Sequence, residues 1–295
     1  MRGIIKISDG LGNQMFQYAF ARKLQTICGN EIYLDTRFIN NEDIFKRGKQ
    51  NNTYRKCSHR IYGLEHFKIT LPVADDSILW HWNYMRQKNC IEKIESVLAK
   101  KHLWIWQYRD ENEVGNRVDI GCKQLSCPTY FIGYYFDLNF FSGIDTILKK
   151  EFHLKKPFRL PSNLYKILKN EDTVSIHVRR GDFVKLFWDI SKSDYYRKAI
   201  QMIKERVEHP VYLIFSDDIA WVKENMSIDG EKIYISEMGF EDYEELILMK
   251  YCRHNIIANS TFSYWAAYLN ENPDKIVICP GRWKANAIPK NWTII

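Results

Sequence analysis

The hydrophobic positions of the chain change period repeatedly, and the changes come in a regular order. Residues 3–8 (GIIKIS) form a short apolar, β-branched run that reads as a strand. The break DGLGNQ (9–14) follows. Then Met15, Tyr18, Ala19, Leu24 and Ile27 recur at helical spacing over 15–28, and EIYLD (31–35) returns to strand character. A strand, a glycine loop, a helix and a second strand open a parallel α/β sheet.

The same alternation is clearest after residue 163. TVSIHV (173–178), PVYLIFS (210–216), EKIYIS (231–236), HNIIAN (254–259) and KIVICP (275–280) read as strands. Between them, residues 193–207, 218–226, 240–252 and 260–271 read as helices, with Ser193 as the expected N-cap of the first. Repeated β/α units with short connections predict a doubly wound sheet. Residues 40–125 are harder to order: polar loops alternate with the aromatic bursts WHWNYM (80–85) and LWIWQY (103–108), the second of which reads as a strand, like PTYFIGYYF (128–136). The stretch FHLKKPFRLPSN (152–163) carries two prolines and little periodicity, so it is the expected linker between domains at 1–155 and 156–295.

Composition narrows the class. The 295 residues are 45% hydrophobic and 27% charged, as in an ordinary globular protein long enough for two domains. The net charge of +7 suits an anionic ligand such as a nucleotide diphosphate, or weak attraction to an anionic membrane surface, but is too dilute to argue for nucleic acid. Seven cysteines, an odd number with no C-x-x-C pair, argue against a disulfide framework or structural zinc and for a reducing compartment. No window nears the roughly 20 apolar residues of a membrane span. The expected location is cytoplasmic, with peripheral contact at the inner face of the membrane compatible with the charge. No protein partner is expected.

In open α/β sheets, ligands bind beyond the carboxyl ends of the strands. Four segments at such ends hold unusual residue sets. HVRRGD (177–182) brings His177, Arg179, Arg180 and Asp182 together where a buried strand ends. Charges there are costly unless paired or bound to a ligand, and arginine's fork of donors matches a phosphate in two places. The alternative is an ion-pair network in which an arginine pairs with Asp182. NSTFS (259–263) places Asn259, Ser260, Thr261 and Phe262 at a helix start, which is either an anion site or a plain cap. SDD (216–218) offers Asp217 and Asp218 for guanine recognition, for capping or, less favoured, for a divalent metal. DGLGNQ offers Gly10 and Gly12 for close backbone approach to a ligand, with Asn13 and Gln14 reaching hydroxyls.

That last segment also supports a competing reading. Strand, Gly10-x-Gly12 and helix, with Asp35 where a ribose-binding acid would sit, partly match a nicotinamide-dinucleotide fingerprint, although Met15 replaces the third glycine. A non-catalytic nucleotide- or glycan-binding module is the other alternative.

Taken together, GLGNQMFQYAFARKLQ, HVRRGDF, FSDDIAWVKEN and NSTFSYWAAYLN resemble the bacterial α-1,2-fucosyltransferases of glycosyltransferase family 11, in family order over most of the chain outside residues 40–125. The resemblance implies a GT-B-like α/β fold: two facing Rossmann-like domains with the active site in the cleft, acceptor on the N-terminal side and donor on the C-terminal side. It implies GDP-β-L-fucose as co-substrate, no metal or other cofactor, and inverting transfer to O2 of a terminal galactose in a glycan acceptor. It further implies that Arg179 holds the β-phosphate, His177 lies near the nucleoside, Asp217 or Asp218 reads guanine, and Asn13 approaches the sugar diphosphate. On this reading Arg180 and the helix start at Ser260–Thr261 assist Arg179, and Asp182 is the candidate general base. Trp80, Trp82, Trp104 and Trp106 are either core or the acceptor-selecting surface.

Overall fold

The computed structural model describes residues 2–40, 61–82, 90–101, 106–114, 127–283 and 285–295. Trp104 and much of the stretch between 40 and 125 lie outside them. The chain divides into two compact units, Met1–Lys155 and Lys156–Ile295, and the division falls inside the proline-bearing stretch 152–163.

The first unit carries strands β1 (Arg2–Lys6), β2 (Glu31–Asp35), β3 (Gln107–Asp110) and β4 (Thr129–Ile132), all parallel, in the order β2-β1-β4-β3. The long helix α1 (Leu11–Cys28) follows β1 and starts four residues before the first apolar position of the 15–28 pattern. Gly10 is its N-cap, so Leu11, Gly12, Asn13 and Gln14 belong to its first turn rather than to a loop. It ends at Gly29, whose φ of 64° is the left-handed conformation that closes a helix, with its N–H donating to the Gln25 carbonyl. Helices α2 (Cys90–Lys100) and α3 (Asp145–Glu151) lie in the same unit, with one-turn helices at Arg37–Asn40 and Glu111–Val114. Trp82 and Trp106 are core residues, edge-to-face at 5.5 Å among Ile4, Leu79, Tyr108 and Tyr130. The acceptor-surface reading therefore fails for these two rings, while Trp80 is exposed.

The second unit carries a six-stranded parallel sheet in the order β10-β9-β8-β5-β6-β7. Its strands are β5 (Thr173–Val178), β6 (Val211–Ser216), β7 (Lys232–Tyr234), β8 (His254–Ile256), β9 (Val277–Cys279) and β10 (Thr293–Ile294). The helices are α4 (Ser162–Asn170), α5 (Gly181–Lys185), α6 (Tyr195–Lys204), α7 (Ile219–Asn225), α8 (Asp242–Tyr251) and α9 (Thr261–Leu269). Every residue of β5 and β6 is buried, as expected where a parallel sheet is covered on both faces. Val174, Ile176 and Val178 pack with Tyr196, Ala199, Ile200 and Ile203 of α6. The alternate residues of β5 are polar, and each is bonded. Thr173 accepts from the Arg253 N–H at 3.1 Å, Ser175 accepts from Asn255 at 2.7 Å, and His177 meets Ser263.

Three local expectations are corrected. The N-cap of α6 is Asp194, one residue later than expected; the Ser193 hydroxyl donates to the Ile190 carbonyl at 2.7 Å and accepts from the Tyr195 N–H at 3.4 Å. The predicted strand at 231–236 stops at Tyr234 and tightens into a 3₁₀ turn. Cys28 is disulfide-bonded, against the expectation of reduced thiols, whereas Cys127, Cys252 and Cys279 are free. Among the described residues, no helix is long and apolar enough to cross a membrane.

Candidate active site

The chain runs from β5 outward through β6 to β7, then returns to β8 on the other side of β5 and continues to β9 and β10. The switch point of the sheet therefore lies between β5 and β8, where crevices that bind ligands form at the carboxyl ends of strands. Strand pairing sets Val178 opposite Ser216 and Ile176 opposite Ile256. This register brings HVRRGD, SDD and NSTFS to one edge of the second unit.

Two guanidinium groups meet four carboxylates there. Arg179 donates to Asp182 Oδ1 at 2.6 Å and pairs with Asp217 Oδ2 at 2.8 Å, while its guanidinium lies 5.4 Å from the Phe183 ring centroid. Arg180 is buried and held through its Nε and one terminal nitrogen. It donates to Asp218 at 3.0 Å, to Asp189 at 3.0 Å and to the Ser191 hydroxyl at 2.6 Å, and lies over the Trp221 ring at 3.6 Å. The ion-pair network weighed from the sequence is thus present, and both arginines belong to it. The Arg180 side chain is 8% exposed and shapes the site from within, whereas Arg179 keeps 21% exposure toward solvent.

Asp217 ties the strand ends together. Its Oδ1 accepts the Arg180 backbone N–H at 2.8 Å and its Oδ2 holds Arg179. The approach is so close that a Cβ on Gly181 would stand 2.4 Å from Asp217 Oδ2, which is why glycine follows the two arginines. Asp218 is the N-cap of α7, accepting from the Trp221 N–H at 3.4 Å as well as from Arg180. Among the described residues, no three His, Cys, Asp or Glu side chains converge to hold a metal ion.

His177 is buried, with Nδ1 2.8 Å from Ser263 Oγ and its ring 5.6 Å from that of Phe262. The Tyr196 hydroxyl donates to its carbonyl at 2.9 Å. Burial, and secondarily the Arg179 charge, lower its pKa to about 3, so the ring is neutral near pH 7. Ser260 caps α9, accepting from the Phe262 N–H at 3.4 Å, and Thr261 opens that helix. The Asn259 amide donates to the Trp188 carbonyl at 2.9 Å, and its buried Oδ1 has no protein donor. An acceptor atom left open in this position suits a ligand hydroxyl or N–H.

Several participants carry no motif in the sequence. Asp189, Ser191 and Trp221 surround Arg180, and only the lone acid inside the aromatic run FWDIS hints at the first. Glu245 of α8 is another. Burial first, then Asp242 and Asp217, raise its carboxyl to about 7 against the opposing effect of the Ser236 hydroxyl. Ser236 in turn accepts from the Ser216 N–H at 3.0 Å, so Glu245 stands behind the SDD turn.

The N-terminal candidates sit in the first unit, at the end of β1. Asp9 has φ 66°, a strained conformation for a residue with a side chain, and its carboxylate accepts from the Tyr134 hydroxyl at 2.9 Å. Asn13 is partly exposed in the first turn of α1. Gln14 is not a ligand contact: it is completely buried, donates to the Asp9 and Ile61 carbonyls at 2.8 Å each, and accepts from the Gly63 N–H at 3.0 Å. It ties residues 61–63 to the helix instead. Asp35 is likewise consumed. Arg37 grips it with two bonds, at 2.9 and 2.7 Å, and the Tyr130 hydroxyl donates at 2.7 Å, so the ribose acid of the nicotinamide reading is unavailable.

The sequence matches the family described as Glycosyl transferase family 11 over residues 4–293. The chain belongs to this family. Its relatives include an Escherichia coli "O-antigen biosynthesis glycosyltransferase WbnK", 31% identical over 95% of this chain and 94% of that one. An E. coli "Alpha-1,2-colitosyltransferase" is 27% identical over 95% and 91%. A rat "Galactoside alpha-(1,2)-fucosyltransferase 2" is 33% identical over 103 residues, 32% of this chain and 29% of that one. Among solved structures, a variant of Arabidopsis thaliana FUT1 in complex with GDP superposes with a TM-score of 0.51 at 13% identity, covering 98% of this chain and 72% of that one. At that identity the likeness is one of fold. The family 11 protein is thus a glycosyltransferase with an α/β fold of two parallel sheets.

Proposed function

We propose that the protein transfers L-fucose from GDP-β-L-fucose to O2 of a terminal galactose, with inversion at the anomeric carbon and without a metal ion. The observation that carries this reading is the partly exposed Arg179, aimed by two carboxylates at the switch point of the second unit. The galactoside α-(1,2)-fucosyltransferases among its relatives supply the donor and acceptor classes.

In the reaction, the bond from the fucose anomeric carbon to the β-phosphate oxygen breaks and GDP leaves with the added negative charge. A bond from the acceptor O2 to that carbon forms, and the O2 proton passes to a base. Arg179 stabilises the charge on the leaving phosphate more as it develops than before, which is what lowers the barrier. Donor phosphate competes with carboxylate for the same guanidinium, so binding exchanges Asp182 for phosphate and turns Asp182 toward the acceptor as base. The N-terminus of α9 at Ser260–Thr261 adds N–H donors to the phosphates, and Asn259 Oδ1 accepts from the donor. Asp217 or Asp218 remains the assignment for guanine, through whichever carboxylate edge its arginine leaves open.

Incubation with GDP-fucose and lactose in the presence of EDTA is expected to yield GDP and a trisaccharide with the fucose on O2 of galactose. Arg179→Ala is expected to lower kcat by roughly 10²-fold or more, as loss of a charge-stabilising donor does. Near-normal turnover by that variant would refute the assignment. GDP release that requires a divalent ion would refute metal independence, and ligand binding without GDP release would make the protein a binding module. The colitosyltransferase relative favours a second reading, transfer of a colitosyl group through the same site. A higher kcat/KM with GDP-colitose than with GDP-fucose would select it.

A further inference from the structure

The segment that follows the arginine pair exposes rings that folding alone does not account for. Phe187 is 90% exposed and Trp188 55% exposed. Phe187 also has φ 59°, a left-handed conformation that a bulky side chain rarely adopts. Strain of this kind collects at ligand clamps, and exposed aromatic patches mark contact surfaces.

The segment is held in place at both ends. The Trp188 carbonyl accepts from the Asn259 amide at 2.9 Å, and the Trp188 N–H donates to the Phe183 carbonyl at 2.9 Å. The next residue, Asp189, is gripped by Arg180. The Trp188 ring meets Phe183 edge-on at 5.5 Å, and Phe183 lies under the Arg179 guanidinium at 5.4 Å. Two ring contacts therefore connect the exposed indole to the group that holds the leaving phosphate.

We propose that Phe187 and Trp188 form the platform on which the acceptor sugar stacks, beside the Arg179–Asp182 pair. An indole face covers the apolar C–H face of a pyranose, and the ring path from Trp188 through Phe183 to Arg179, which holds Asp182, places a stacked sugar on the side of the candidate base. The charges of the segment favour a neutral sugar over an anionic bilayer. Residues 181–194 carry three aspartates and only two lysines, the reverse of the polybasic pattern that anionic lipids attract. The platform rests on the fucosyltransferase reading above and moves acceptor selection away from Trp82 and Trp106, which are core.

The test uses the full chain with Trp188→Ala, Phe187→Ala, Phe187→Gly and Trp188→Phe. KM is measured separately for lactose and for GDP-fucose, GDP affinity by calorimetry, and Tm by thermal melt. The alanine variants are expected to raise the lactose KM about tenfold or more, with GDP affinity within about twofold of the parent, and Trp188→Phe to recover most of the loss. Phe187→Gly is expected to melt higher than the parent, since glycine relieves the backbone, while still losing acceptor affinity. An unchanged lactose KM in both alanine variants, with the parent active, overturns the platform and leaves the fucosyltransferase reading standing. Loss of GDP affinity together with acceptor affinity makes the segment structural and also overturns it. Vesicles of phosphatidylglycerol and phosphatidylethanolamine form the last arm: if the alanine variants lose vesicle binding but keep the lactose KM, the surface is a membrane contact instead. No GDP release by the parent from GDP-fucose with any galactoside refutes the reading itself, and the platform with it.

Discussion

At the scale of single residues, the site depends on which charges the fold permits. Arg179 and Arg180 are neighbours in sequence with opposite fates: one partly exposed between two acids, the other buried among Asp189, Asp218, Ser191 and Trp221. His177, two residues before Arg179, stays neutral because it is buried beside that cation. Its pKa falls from the usual 6.5 to about 3, so the unfolded chain takes up a proton that the folded chain refuses. Stability is therefore undiminished by this group above 6.5 and declines as pH falls from 6.5 toward 3. His177→Gln is expected to soften that decline. Melting temperatures at about pH 7 and about pH 4.5 measure it, and an equal acid-induced drop in the two proteins would remove His177 as a cause. Glu245 has the opposite sign. Its raised pKa favours the folded state below 4.5, and the contribution is lost as pH rises toward 7.

At the scale of elements, strand ends and helix starts do the positioning. β5 and β6 run in register to Val178 and Ser216, so the residues after them emerge side by side. The turn after β5 must pass within contact distance of Asp217, and Gly181 is the residue that allows it. Gly181→Ala places a methyl where a doubly held carboxylate already sits, and Asp217 can yield only by releasing Arg179 or the Arg180 N–H. The variant is expected to be destabilised by about 1–3 kcal/mol, as overpacked sites are, and to bind GDP about tenfold or more weakly. Denaturant titration and calorimetry measure the two effects, and a variant with the parent's stability and GDP affinity would show that the turn is not so constrained. The helix that follows β1 shows what patterning misses at this scale. DGLGNQ reads as a loop because it is polar and glycine-containing, yet four of its residues are the first turn of α1. Gln14 turns inward because the backbone of residues 61–63 needs its amide, a demand from a distant segment that no local pattern records.

At the scale of the whole molecule, the residues proposed to bind phosphate, Arg179 and the start of α9, lie in Lys156–Ile295. GDP is therefore expected to slow hydrogen exchange most at 177–182, 216–219 and 259–263 in that unit, with total stabilisation growing as the logarithm of GDP concentration above its Kd. Protection confined to Met1–Lys155 would place the nucleotide elsewhere. The parallel β/α alternation was legible in the residues alone, because burial on both faces of a parallel sheet leaves continuous apolar runs that can be read directly. Three of the four strand-end segments, HVRRGD, SDD and NSTFS, meet as a parallel sheet requires, whereas DGLGNQ belongs to the first unit. What each side chain does depends on the folded chain. Trp82 and Trp106 went to the core and Phe187 and Trp188 to the surface. Asp35 was taken by Arg37, and the Asp217–Asp218 pair by two arginines. The physical reason is that burial and ion pairing depend on neighbours brought close from far along the chain, whereas hydrophobic period depends on the few residues to either side.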